Sequence, residues 1–362
     1  MNKAKKNSNY DAWGIERLKL PNADIEKIYR NIVGWTILAP SSHNSQPWKF
    51  KIHIGAKSDS ISILIDKSRI LRESDKYSRQ TFISLGCALA NLTNAADYYG
   101  LHYTVKIPVN SSKGDESVII SISKKDAKIN NRFRKILDSM KTRTMNRGNY
   151  LDKAIPKIVL RKFYNIAENG GLRLTAIMDQ RTKNLISELQ FQADLYAIAD
   201  TKFRKELARF ILSDKSDEFI GMPAKTIKLS EEMGIYISKK LSEKLFDADI
   251  SSGFAASNRD AMRNSPGIFV ISSPKDSVLS WIKAGQIFEN IALIAEQNGL
   301  AISVYAAIIE SMRDKIFQKN FFNITSDTQK VPLVLFRAGY SKQSYPHSPR
   351  IPSDLLTQYS KD

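Results

Sequence analysis

The sequence of 362 residues predicts an α+β fold in two related halves. Apolar residues at helical spacing alternate along the chain with short β-type runs. The length suits two domains of about 150 residues each or one large one. The segment SLGCALANLTNAADYYGLHYTV (84–105) shares its pattern with KAGQIFENIALIAEQNGLAISV (283–304): Gly86 and Gly285, Gly100 and Gly299, and Leu101 and Leu300 all lie 199 residues apart without a gap. A long helix closed by Gly-Leu and followed by a strand, occurring twice, reads as a duplicated domain, the alternative being that Gly-Leu is an ordinary helix cap.

Ile25, Ile28, Tyr29, Ile32 and Trp35 follow Pro21-Asn22 at helical spacing and predict a helix over 25–38 that ends before Pro40. WKFKIHI (48–54) and SISILI (60–65) read as strands. A helix rich in small and apolar residues is expected from Arg79 to Tyr99, stopped at Gly100 and buried on most sides, then strands near 102–107 and 117–122. The second half repeats the theme with a helix from Pro156 to about Glu168, a strand near 172–178 and a long polar helical region over about 181–248. GIFVIS (267–272), a helix over about 278–298 and PLVLFRA (332–338) complete it.

Composition narrows the function. With 42% hydrophobic and 25% charged residues the chain is of ordinary globular make-up. Its net charge of +18 raises the question of nucleic acid. No recognition helix or aromatic RNA-binding motif accompanies it, so a nucleic-acid partner is not expected. The polar start, MNKAKKNSNYDAWGIERLKL, and the absence of any run near ~18 apolar residues predict a cytoplasmic protein with no membrane partner. One cysteine, Cys87, leaves no disulfide framework, and His43, His53, His102 and His347 lack the spacing of a zinc hydrolase, so no metal site is expected. Neither GxGxxG nor GxxxxGK[ST] occurs at a strand–helix junction, so a phosphate-bearing ligand needs another kind of pocket.

Three segments carry chemistry. Ala39-Pro-Ser-Ser-His-Asn-Ser-Gln-Pro-Trp48 brackets six polar residues with prolines that fix the path; Ser41, Ser42, Asn44 and Gln46 supply neutral donors and acceptors suited to the edge of a planar heterocycle. Trp48 reads as core, and His43 as a polar loop residue rather than a general acid, since no carboxylate partner is in view. In Arg143-Thr-Met-Asn-Arg-Gly-Asn-Tyr150, two arginines four apart can converge on a phosphate; a solvated basic turn is the plain alternative. Residues 101–150 hold 11 Lys+Arg against 4 Asp+Glu, so the basic bias concentrates there. In Ser348-Pro-Arg-Ile-Pro352, Arg350 sits between prolines, which lowers the entropy lost on anion binding. The run 66–79, with alternating charge signs, reads as a solvated loop.

At these residues the sequence resembles the FMN-dependent nitroreductase superfamily. PSSHNSQPW is similar to that family's P-S-x-x-N-x-Q-P-W loop, and RTMNRGNY to its R-x-S-x-R-x-[FY] segment, with Met145 in place of the serine and Thr144 beside it. The loop, the DKSRILRESDKYSRQ run, the SLGCALANL helix, RTMNR and FRAGY occur in the order found in the double-length, Acg-like branch. The resemblance implies a nitroreductase-like α+β fold, two related halves fused in one chain, each a mainly antiparallel sheet packed with helices. It divides the chain into 1–137, with the loop, and 138–362, with RTMNR, a lid candidate at 214–255 and the C-terminal arginine tail.

In ordinary members the loop comes from one subunit and the arginine segments from the other. Here each half holds one complement, which implies a fused dimer with one FMN site, as a monomer with pseudo-dimeric halves or a loose homodimer. Carried over by residue, Arg143, Asn146, Arg147 and Arg350 hold the phosphate and ribityl end, and Pro40, Ser41, Ser42, Asn44 and Gln46 line the isoalloxazine. The implied chemistry is NAD(P)H-dependent reduction of a small-molecule electron acceptor, nitroaromatic or quinone-like, with no catalytic nucleophile or acid–base dyad. A lidded FMN-storage protein with little turnover is the alternative, and a nucleic-acid-binding protein stands third.

Overall fold

Asp24 opens the first helix, α1 (Ile25–Thr36), by accepting from Lys27 N at 2.7 Å in the computed structural model, which describes residues 8–20, 23–107, 117–124, 127–243, 248–325 and 330–362. The helix buries Ile28, Tyr29, Ile32, Val33 and Trp35 on one face, the stripe its spacing predicts. Strands β1 (Trp48–Ile54) and β2 (Asp59–Ile65) pair antiparallel with Phe50 opposite Ile63. Trp48, Phe50 and Ile52 are buried while Lys49 and Lys51 are exposed, so one face of this sheet is core and the other faces water. Helix α2 (Arg79–Tyr98), strands β3 (His102–Lys106) and β4 (Ser117–Lys124) and helix α3 (Arg134–Thr142) follow.

The chain continues through α4 (Lys157–Asn169), β5 (Arg173–Ile177), α5 (Gln180–Ala199), α6 (Thr201–Phe210) and two short strands, β6 (Ile211–Leu212) and β7 (Met222–Pro223). Then come α7 (Glu231–Ser242), α8 (Ala248–Arg263), β8 (Gly267–Ser273), α9 (Val278–Gln297), β9 (Ala301–Tyr305), α10 (Ala307–Glu310) and α11 (Lys315–Thr325). Strand β10 (Val331–Gly339), helix α12 (Ser353–Leu356) and strand β11 (Thr357–Lys361) end it. One sheet has the order β5-β8-β10-β9, antiparallel throughout. The other has the order β11-β1-β2-β4-β3, antiparallel except that β11 runs parallel to β1, from Phe50 opposite Thr357 to Ile54 opposite Lys361. Two mainly antiparallel sheets packed with helices are the α+β arrangement expected. The last strand, numbered with the second half, completes the sheet of the first.

The glycines of the sequence repeat meet at the centre. A Cβ on Gly86 would lie 2.1 Å from Ile282 O, and one on Gly285 would lie 2.0 Å from Ile83 O, so α2 and α9 cross with no room for a side chain at either position. Cys87 Sγ donates to Gly285 O at 3.3 Å, and Asn94 Nδ2 to Asn290 Oδ1 at 2.9 Å across the same contact. Both helices end on a left-handed glycine, Gly100 (φ +65) and Gly299 (φ +68). One apolar core runs from Trp35 and Phe50 through Leu85 and Ile291 to Phe269 and Phe336, joining the two sheets. A second core fills the far face of the second sheet with Ile186, Met262, Leu335 and Phe321, and a third, of Leu207, Ala208, Met222 and Leu241, ties α6, β7 and α7 together.

Two expectations are corrected. The region 181–248 is not one helical stretch: Asp200 ends α5 and caps α6 by accepting from Lys202 N, and the 211–230 segment that follows leaves the helical path. The 66–79 run is not a solvated loop, since Asp66, Ser74, Asp75 and Arg79 are buried. Arg79 donates to Ile309 O at 3.2 Å and faces Asp276 at 3.4 Å. Charge alternation missed this because the charged groups find backbone and counter-ion partners inside. No helix among the described residues is long and apolar enough to cross a membrane.

Candidate functional site

The loop after α1 is held in a conformation few sequences adopt. His43, Asn44 and Gln46 all lie at positive φ (50°, 55° and 50°), which costs on the order of 1 kcal/mol each and persists only where surroundings enforce it. Several contacts do so. Ser41 Oγ accepts from Gln46 N at 2.9 Å, and the Ser42 hydroxyl pairs with Gln80 Oε1. Arg69, itself paired with Asp66 at 3.0 Å, donates to Gln46 O at 2.8 Å and Trp48 O at 2.6 Å. Pro40 is half-buried at the entrance, and Trp48 is fully buried, as its core reading requires.

Both basic segments converge on this loop. Arg143 donates to Leu38 O at 2.8 Å and pairs with Glu289 at 3.2 Å. Arg350 donates to Asn44 Oδ1 at 2.6 Å, to Pro349 O at 2.9 Å, and to Leu38 O and Ala39 O at 3.2 Å each. Burial and the adjacent Arg143 lower the Arg350 guanidinium to about 9, against the pull of Glu289. Burial pushes the Glu289 carboxyl up, and the two guanidiniums oppose that. With its amide oriented to satisfy both ends, Asn91 donates to Glu289 Oε1 and accepts from Ala39 N, each at 3.1 Å. One carboxylate thus compensates two buried cations directly beneath the loop. Asn146 shapes its own turn: Nδ2 donates to Gln343 O at 2.7 Å, Oδ1 accepts from Gly148 N at 3.0 Å, and its backbone N–H reaches Ile302 O at 2.9 Å.

Arg147 differs from the other arginines. Its guanidinium donates to the thioether of Met222, at 3.7 and 3.8 Å from the two terminal nitrogens; the Tyr305 phenol and His43 lie near enough to interact with it electrostatically, and among the described residues no carboxylate pairs with it. Burial pulls its guanidinium below the ordinary value. Beside it, His43 Nδ1 is buried without a hydrogen-bond partner, and its ring packs 5.7 Å from Phe210. Burial pushes His43 down to about 4, Arg147 adding to the shift and Glu206 opposing it, so the imidazole is neutral at pH 7. A half-buried guanidinium without a carboxylate partner and a buried, unpartnered ring nitrogen thus lie close enough to interact electrostatically.

A strap covers the loop. Asn9 Nδ2 donates to Ser216 O at 2.9 Å and Glu218 O at 3.0 Å, Gln46 Nε2 to Phe219 O at 2.6 Å, and Asn44 Nδ2 to Gly221 O at 2.9 Å. Gln46 Oε1 and the second Asn44 contact go to Ile351 N and Pro349 O, each at 2.9 Å. Helix α6 is latched to the 66–79 run, where Glu206 accepts from Ser74 N at 2.8 Å, Ser74 Oγ at 2.6 Å and Glu73 N at 3.1 Å. The 214–255 lid candidate therefore divides: residues 216–222 lie on the loop, whereas α8 packs against α5, with Ala255 and Met262 buried.

All nine residues singled out in the sequence lie in or beside this one region. Seven of them, Ser41, Ser42, Asn44, Gln46, Arg143, Asn146 and Arg350, direct side-chain polar groups to protein oxygen or nitrogen partners, whereas the partner of Arg147 is the Met222 thioether. Sequence reasoning passed over Glu289, although a single carboxylate in the apolar IFENIALI stretch was a signal for a buried counter-ion. It also passed over Met222, Phe219 and Gly221, whose residue types carry no chemical signature.

No family model matches the chain. Two uncharacterized proteins from two strains of Mycobacterium tuberculosis are each 33% identical to it over 63 residues, which is 17% of this chain and 18% of the relative. The match thus spans under a fifth of those relatives' length. Among solved structures, the chain is similar to the FMN-dependent nitroreductase NfnB from Mycobacterium smegmatis in complex with NADPH, at 14% identity and a TM-score of 0.41, over 63% of this chain and 98% of that one. It is similar to a nitroreductase with bound FMN from Desulfitobacterium hafniense at 11% identity and a TM-score of 0.40, over 62% and 98%. A nitroreductase with bound FMN from Bacteroides fragilis gives 14%, 0.35, 60% and 94%.

Proposed function

We propose that the chain is an FMN-binding flavoprotein of the nitroreductase type, in the double-length, Acg-like form with one cofactor site shared between its halves. The convergence of residues 38–48, 143–147 and 348–351 around an uncommitted Arg147 guanidinium and the orphaned His43 Nδ1 is the observation that supports it most. These residues fit an anionic, planar group. Arg147 is the cation free to meet a phosphate, through charge-assisted hydrogen bonds. Arg143 and Arg350, compensated by Glu289, add positive potential behind the loop and hold its carbonyls. Asn146 fixes the turn that carries Arg147. Pro40, Ser41 and Ser42 shape the wall of the ring site, and Asn44 and Gln46 meet the ring by exchanging the strap carbonyls for it.

Bound FMN would supply hydride transfer between NAD(P)H and a small nitroaromatic or quinone-like acceptor. The chain's own contribution is to orient the ligand, keep water out with the strap and offer hydrogen bonds from His43, whose neutral imidazole has one N–H donor and one acceptor nitrogen and is not an imidazolium acid at pH 7. The test is reduction of the purified full chain by excess NADPH or NADH under anaerobic conditions. Bleaching of the flavin band by either donor is the expected result.

A second reading has its own support. Four strap carbonyls accept from the side-chain amides of Asn9, Asn44 and Gln46, a closure that suits a protein holding its cofactor with little turnover. Bleaching by dithionite but by neither nicotinamide donor would select this reading over the reductase.

A further inference from the structure

An open cleft of about 590 Å³ lies between α6 and α7, and none of its lining residues belongs to the loop described above. Lys205 and Arg209 line it from α6, one helical turn apart, and Lys239 lines it from α7, together with Ala208, Ile211 and Ile235. Among the described residues none of these three cations has an ion-pair partner, and no carboxylate lines the cleft. Glu206, between the two α6 cations in sequence, is spent on Glu73 N and Ser74. Glu231 stands behind Ser213, whose hydroxyl it receives. Three uncompensated positive charges gathered on one cleft repel one another, and an anion relieves that repulsion.

We propose that this cleft binds the phosphate group of an anionic ligand. Recognition rests on the cations: Ser238 Oγ already donates to Ala208 O at 2.9 Å and Ser242 Oγ to Lys239 O at 2.6 Å, so neither hydroxyl proton is free for a phosphate oxygen. Arg209 supplies a planar fork and the lysines mobile point charges, the usual complement of a phosphate. The cleft adjoins the loop. Phe210, next in the chain to Arg209, packs against His43, and Ile211 pairs in register with Met222, the neighbour of Arg147. A phosphate at one end of a dinucleotide suits this placement, and a free phosphate shares the same chemistry. The cleft does not depend on flavin being present.

The experiment is calorimetric titration of the full chain, as purified, with NADP⁺, NAD⁺ and inorganic pyrophosphate at low and high salt. It is repeated on the triple variant Lys205→Ala, Arg209→Ala, Lys239→Ala and on the single variant Arg209→Glu, with thermal melts showing that both fold. The expected result is NADP⁺ binding at least tenfold tighter than NAD⁺ at low salt, with that preference lost in both variants. Pyrophosphate binding as tightly as NADP⁺, with the same loss in the variants, supports the cleft with free phosphate as its ligand. No binding of NADP⁺ or pyrophosphate to the wild type, or unchanged binding in the variants, overturns the proposal. These readouts do not require FMN, so they stand apart from the flavin reading.

Discussion

Replacing Glu289 with Gln removes the carboxylate that acts on both buried arginines, Arg143 and Arg350, while keeping the shape of the side chain. Arg143 then loses its partner at 3.2 Å, Arg350 loses the charge that offsets Arg143, and all three groups are almost wholly buried. Breaking a buried pair from one side costs about 3–5 kcal/mol, because the remaining charge stays desolvated. At roughly 2–4 °C per kcal/mol for domains of a few hundred residues, the melting temperature should fall by roughly 6–20 °C. Urea unfolding followed by tryptophan fluorescence is the assay. The double variant Glu289→Leu with Arg143→Met should lose less than Glu289→Gln, since it leaves one fewer orphaned cation. A loss below about 1 kcal/mol in the single variant would refute the view that Glu289 neutralises the cations beneath the loop.

Acid should destabilise the fold through His43, whose value near 4 lies below the ordinary 6.5. The unfolded chain binds this proton first, so stability falls as pH drops from about 6.5 towards 4, by about 3 kcal/mol for this group. His347, stacked on Trp13 and also lowered to about 4, acts in the same direction. His43→Asn, which tolerates the left-handed backbone, should flatten the pH dependence of urea midpoints; an unchanged slope would place the effect elsewhere. Gly86→Ala drives a Cβ into Ile282 O and should cost about 1–3 kcal/mol or more in thermal melts, far beyond an ordinary Gly-to-Ala change in a helix. Gly221→Ala, at φ +116 and against Leu212, should loosen the strap and speed both proteolytic nicking within 213–224 and FMN uptake by apo-protein. Equal rates would mean the strap does not limit access.

Much of this fold is legible because burial follows simple periods. Trp48, Phe50 and Ile52 alternate with lysines, and Ile28, Ile32 and Trp35 recur on a helical face, so β1 and α1 fall where their patterns place them. Gly86 and Gly285 stand out in the sequence because a helix crossing this close excludes every other residue. What escapes is set by tertiary contact. β11 is an exposed, polar strand, TQYSK, whose place beside β1 depends on where the chain returns. Asp66 and Arg79 look like surface charges until their partners, Arg69 and Asp276, are known. Within the site, the loop and the arginines are visible as motifs. The division of labour between committed Arg143 and Arg350 and uncommitted Arg147 is not, because it depends on Glu289 and on carbonyls supplied by Leu38 and Ala39.

The proposed single flavin site draws on segments 38–48, 143–147 and 348–351, with Arg147 as the cation that has no carboxylate partner among the described residues. Titration of FMN into flavin-free full-length protein, by calorimetry or flavin fluorescence, tests it directly. The wild type should take up one FMN per chain, and Arg147→Ala, losing a charged contact of about 1.5–3 kcal/mol, should bind about one to two orders of magnitude more weakly with the same stoichiometry. No uptake, two FMN per chain, or an Arg147→Ala affinity equal to the wild type would contradict it.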